Sequence, residues 1–60
     1  MGQYIYLISD INDFDLPVGC FDTTTEASLF LNRRPEYLFG VFKNNNIYVD
    51  KNYKVTKIYL

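Results

Sequence analysis

Residues 22–32 read Asp-Thr-Thr-Thr-Glu-Ala-Ser-Leu-Phe-Leu-Asn, a helix with its start and its end both written in the sequence. Thr23 at the N-cap with Glu26 three residues on forms a capping box, in which side chains satisfy the first free N–H groups of a helix. Asp22 and Glu26 also suit the positive end of the helix dipole. Ala27, Phe30 and Leu31 follow at i, i+3 and i+4 and make a single apolar stripe. Asn32 ends the helix because asparagine tolerates the left-handed backbone of a C′ residue.

Upstream, residues 3–9 (Gln-Tyr-Ile-Tyr-Leu-Ile-Ser) are β-branched and aromatic and predict a strand. Tyr4, Tyr6 and Ile8 share one face of it, Ile5 and Leu7 the other. Both faces are apolar, so the strand is expected at the centre of its sheet, covered on both sides or half facing another chain. Residues 10–17 are rich in Asp and Asn, which favour turns by bonding their own backbone, and predict a loop. Val18 to Phe21 form a short extended piece that leads into the helix.

Downstream, Pro35 at the N1 position predicts a second helix. Leu38, Val41 and Phe42 form its buried stripe. Gly40 inside it costs about 1 kcal/mol relative to Ala, and so marks a weak point or a close approach. Asn44-Asn45-Asn46 ends it. Ile47 to Val49 and residues 53–59 then predict a hairpin around Asp50-Lys51-Asn52. Neither face of the last strand is purely apolar, which suits an outer or half-exposed position. The expected order is β-α-α-β-β: a small α+β domain over residues 1–60, with a helix-turn-helix-like pair packed on an antiparallel sheet.

Composition narrows the chemistry. Sixty residues make one small domain, and 48% hydrophobic residues with six Tyr and five Phe make it a folded one. There is no His and a single cysteine, Cys20. This removes His-based catalysis, an intramolecular disulfide and any multi-Cys metal centre. The absence of disulfide staples points to a reducing cytoplasm. No apolar run reaches the length of a membrane helix. The Met1-Gly2-Gln3-Tyr4 start lacks the basic segment of a signal peptide, and Tyr6 stands where a myristoylation motif wants Ser or Thr. The charge is split: Asp10, Asp13, Asp15, Asp22 and Glu26 lie in the first half without a basic residue. Arg33, Arg34, Lys43, Lys51, Lys54 and Lys57 lie in the second half with Glu36 and Asp50.

Phe21-Asp22-Thr23 followed by Glu26-Ala27, Phe30-Leu31-Asn32, the basic turn Arg33-Arg34, a second helix and a Lys/Tyr-rich terminal strand resembles the helix-turn-helix repeat modules of intron-encoded homing endonucleases. It is also similar to short bacteriophage and mobile-element proteins that begin with a strand like Tyr4–Ser9 and end with one like Tyr53–Ile58. In the endonuclease modules the second helix binds DNA. Here that helix turns Glu36, Phe39, Gly40 and Lys43 outward, and only Lys43 is a conventional base or phosphate reader. The resemblance therefore implies the architecture more than the DNA role.

Three sets of residues are candidates for function. Asp10, Asp13 and Asp15, with Asp22 and Glu26, form an acidic set suited to docking on a basic partner, with Phe14 or Phe39 as an aromatic anchor. Asp10 to Asp15 lacks the glycine of a calcium loop, so no metal or other cofactor is expected. Arg33, Arg34, Lys43, Lys51, Lys54 and Lys57 are the alternative set, suited to phosphate contacts. The tyrosines are expected in core and cross-strand pairs. Cys20 is expected as a small buried apolar residue. The leading expectation is a non-enzymatic accessory protein of phage or mobile-element type that binds a protein partner. It would act as an inhibitor of a host nucleic-acid-handling defence machine through its acidic half. The alternatives are a helix-turn-helix-like DNA-binding module and a purely structural oligomerisation unit. A homodimer is expected, because the chain holds more apolar surface than so short a fold easily covers.

Overall fold

The computed structural model describes residues 3–60; the reading of Met1-Gly2 falls outside them. The described chain runs β1 (Tyr4–Asp10), β2 (Leu16–Phe21), α1 (Thr24–Phe30), α2 (Tyr37–Val41), β3 (Ile47–Val49) and β4 (Tyr53–Tyr59). The four strands form one antiparallel sheet in the order β2-β1-β4-β3. The domain is thus α+β, with two short helices on a sheet.

The sheet carries one strand more than the expected order. The extended piece at Val18 begins two residues earlier, at Leu16, and pairs with β1 as a hairpin. Pro17 is tolerated because β2 is an edge strand, free of a partner on its outer side. The β1–β2 register skips Val18, since Ile8 faces Gly19 while Ser9 faces Pro17. This is a β-bulge.

Tyr6, Ile8, Ala27, Leu38, Phe42 and Val55 form the core. The strand residues among them lie on the face of the sheet turned to the helices. Central β1 is as expected. The terminal strand is half-exposed, one of the two positions expected, but not outer: β4 lies inside the sheet, between β1 and β3. Its mixed pattern arises because Val55 is fully buried while Lys57, on the same face, lays its ammonium 4.1 Å from the Tyr4 ring centre. A lysine at such a position keeps its stem on apolar surface and its charge at the edge.

Of the capping box, the Thr23 half forms, while the Glu26 carboxylate takes the Thr23 hydroxyl rather than the Thr23 backbone N–H. The Thr23 hydroxyl accepts from the Glu26 N–H at 3.2 Å and donates to Glu26 Oε1 at 3.3 Å. Asn32 is left-handed at φ 59°. The Asn32 N–H bonds the Leu29 carbonyl and the Arg33 N–H bonds the Ser28 carbonyl, each at 3.0 Å, which is a Schellman motif. The second helix is shorter than expected: it starts at Tyr37 rather than Pro35. Its N-cap, Glu36, makes no side-chain cap bond. Instead the fully buried Ser28 reaches across from α1, and its Oγ accepts from the Leu38 N–H at 3.1 Å. Gly40 marks no close approach, for nothing lies within 4 Å of where a Cβ would stand.

Candidate functional site

The β1–β2 connection is five residues long, 11–15, and consists of two turns in succession. The first closes with the Asp13 N–H on the Asp10 carbonyl at 3.1 Å, helped by Asp10 Oδ1, which accepts from the Asn12 N–H at 2.9 Å. The second closes with the Leu16 N–H on the Asp13 carbonyl at 3.0 Å. Its two central residues, Phe14 and Asp15, are both left-handed, at φ 57° and 56°. Such a turn is normally built from Asn and Gly, whose backbones accept positive φ.

The tip is tied at its base to the β3–β4 turn. The Ile11 N–H donates to the Asn52 carbonyl at 3.1 Å, and Asn12 Nδ2 donates to Asn52 Oδ1 at 3.1 Å. Asp50 shapes the second turn, its Oδ1 accepting from the N–H groups of Asn52 and Tyr53 at 2.9 and 2.8 Å. Lys54 Nζ reaches Asp15 Oδ2 at 3.8 Å, an exposed pair that contributes little to stability. From this braced base Phe14 projects with 93% of its surface exposed.

The structure divides the acidic set. Asp10, Asp13 and Asp15 surround Phe14 at one end of the sheet. Asp22 and Glu26 lie past the far end of β2, which is about 17 Å long at ~3.3 Å per residue. Phe39 is exposed on α2, with Lys43 Nζ 5.3 Å above its ring. It is therefore not beside Phe14.

The basic set is divided too. The Arg33 guanidinium stacks 5.2 Å over the Tyr37 ring, and Arg34 is exposed in the same inter-helix turn. Lys51 sits in the β3–β4 turn and Lys54 faces Asp15, both beside the acidic tip. Lys43 and Lys57 share one cleft, which Tyr4, Thr24 and Phe39 also line, and Arg33 and Lys51 line another, beside Asp50.

The tyrosines do pair as expected. Tyr4 meets Tyr6 and Tyr59 edge-on at 5.7 and 5.5 Å. Tyr37 and Tyr48 bring their hydroxyls to 3.5 Å. Burial, then the bond to Tyr37, pushes the Tyr48 hydroxyl up to about 12. Burial likewise raises Tyr6. Cys20 corrects its expectation: it faces out from β2 as an exposed free thiol, because it pairs with Leu7 on the side of the sheet away from the helices. Sequence reading also missed Ser28, a polar residue in a helix with no outward sign that a second helix would need its oxygen.

Among the described residues no group of three Asp, Glu or Cys side chains stands close enough to hold a metal ion. Among the described residues no helix is long and apolar enough to cross a membrane. Compared with protein-family models, curated proteins and solved structures, the chain matches none.

Proposed function

We propose that this chain is a non-enzymatic, cytoplasmic protein-binding module that docks through the β1–β2 tip, with Phe14 as the anchor and Asp10, Asp13 and Asp15 as its acidic rim. One observation carries the reading. Phe14 is kept where neither packing nor backbone favours it: its ring is 93% exposed and its φ is 57°. A left-handed L-residue costs roughly 1–2 kcal/mol, and an exposed ring gains almost no burial in return. Strain and an unburied aromatic at one position on a braced turn are the marks of a binding anchor.

The partner's chemistry follows from the tip. It offers an apolar pocket for the ring and basic groups around it for the three carboxylates. Acidic charge steers encounter with such a surface and fixes orientation. Proteins that handle nucleic acid present basic surfaces of this kind, so an inhibitory accessory role against one of them, of the phage or mobile-element type, fits the tip.

The test is neutralisation of the rim. D10N/D13N/D15N keeps an acceptor oxygen at Asp10 for the Asn12 N–H, so the turn survives. Binding to the partner should weaken at least tenfold at low salt and lose most of its dependence on salt between roughly 50 and 200 mM. Unchanged binding refutes the acidic rim. The competing DNA-binding reading has less support, because its six cations are dispersed: Lys43 and Lys57 share one cleft, Arg33 and Lys51 share another with Asp50, and Lys54 is paired with Asp15. Micromolar, salt-sensitive binding of wild type to labelled duplex or single-stranded DNA, abolished by K43E/R34E, would put that reading first.

A further inference from the structure

The helices cover only one face of the sheet. On the other face the register aligns Leu7 with Cys20 and Thr56, and Ile5 with Ile58. Ile47 and Val49 of β3 extend the same face. No helix packs there: Ile47 and Val49 are more than half exposed, Cys20 is exposed, and Ile5, Leu7, Thr56 and Ile58 are partly open. Ser9 alone is buried on this side, flanked by Pro17 and Lys54. Antiparallel sheets commonly leave one face in water, but that face is then polar. This one is apolar.

We propose that a second copy of this chain covers it, the two sheets packing face to face as a sandwich. Three features favour a second copy. The first is charge. Lys54 is the one charged side chain the register puts on this face, and it is drawn aside to Asp15 at 3.8 Å. A two-fold contact sets the same patch against itself, which a patch of one charge sign would resist and an aliphatic one accepts.

The second is area. Strands of seven, six, seven and three residues, at ~3.3 Å per residue and ~4.8 Å apart, present roughly 360 Å² in projection, so two pleated faces remove somewhat under about 1,000 Å² from water. That is the size of a weak, transient interface and predicts a readily dissociating dimer.

The third is the state of the edges. β2 carries Pro17 and a bulge, and β3 is three residues long. Both devices discourage edge-to-edge pairing. The face is the surface left for self-association.

The sheet face and the tip are separate surfaces. Residues 11–15 lie beyond the end of the strands, and the dimer leaves them free.

The test is sedimentation equilibrium from roughly 1 to 500 µM, a range that suits a readily dissociating dimer. The 7.1 kDa chain should pass to twice that mass. I58K puts a charge on the apolar face, opposite Ile5, and should move the midpoint at least about tenfold upward. Labelling of Cys20 by a thiol reagent should slow as the concentration passes the wild-type midpoint, a reading that does not depend on any variant folding. F14N should leave the midpoint unchanged. A chain that stays monomeric at the highest concentration overturns the proposal. So does a dimer that I58K leaves intact while Cys20 labels at a constant rate. A midpoint moved by F14N instead would place the contact at the tip.

Discussion

Replacing Phe14 with Asn separates what the tip does for folding from what it does for binding. The turn holds Phe14 at φ 57°. Asn enters the left-handed region several-fold more readily than other residues apart from Gly, so it should recover about half of the roughly 1–2 kcal/mol backbone penalty. Full burial of a Phe ring is worth roughly 1.5–3 kcal/mol. Phe14 is 93% exposed, so its removal forfeits only a small fraction of that. F14N should therefore be more stable than wild type by about 0.5–1 kcal/mol. In a domain this size that raises Tm by roughly 2–8 °C. The control is F14A, which removes the ring but keeps a Cβ in the left-handed region, and should melt within about 2 °C of wild type. Thermal and urea melts followed by circular dichroism decide the matter, at one fixed protein concentration because self-association would otherwise move Tm. A clear loss of stability in F14N, or equal gains in F14N and F14A, would show that the ring acts in the folded or unfolded chain and would refute the reasoning.

Other consequences follow from the same geometry. S28A strands the buried Leu38 N–H, which bonds Ser28 Oγ at 3.1 Å. The cost should be about 1–3 kcal/mol, a large share of the roughly 3–9 kcal/mol available to such a chain, and should appear as a lower urea midpoint. The Tyr48 hydroxyl at about 12 is held protonated in the folded chain after its unfolded counterpart, near 10, has ionised. Its contribution to stability is therefore complete below pH ~10 and is lost as pH rises toward 12. Urea midpoints measured across that window should fall less steeply in Y48F than in wild type. The two glycines should respond oppositely to Ala. G40A meets open space and should stabilise by about 0.5–1 kcal/mol, whereas the Cβ of G19A would stand 3.0 Å from the Phe21 ring and should lower Tm.

What could be read from the residues was what they determine locally. The Thr23 cap, the Asn32 terminus, the first strand and the C-terminal hairpin each depend on neighbours within a few positions. The misreadings depended on partners far along the chain. The first two residues of β2, Leu16 and Pro17, looked like loop because they follow three aspartates, and the extended piece from Val18 becomes a sheet strand only by pairing with β1. β4 looked peripheral because Lys57 breaks its pattern, and only the Tyr4 ring across the sheet explains a lysine there. Cys20 looked buried because small apolar residues usually are, and its exposure follows from register alone. Phe14 could be named as an aromatic among acids. That it stands on a left-handed turn, and that Asp22, Glu26 and Phe39 stand elsewhere, came from the fold.

The central claim is that Phe14 serves a partner rather than the fold. The most direct test is the affinity of wild type and F14N for the protein recovered from the source cells on immobilised wild type. Each should be measured with variants shown to be folded. The account predicts at least a hundredfold loss for F14N, about 2.7 kcal/mol or more, as for a buried aromatic anchor, in a variant that melts higher than wild type. Equal affinity for the two proteins would contradict it.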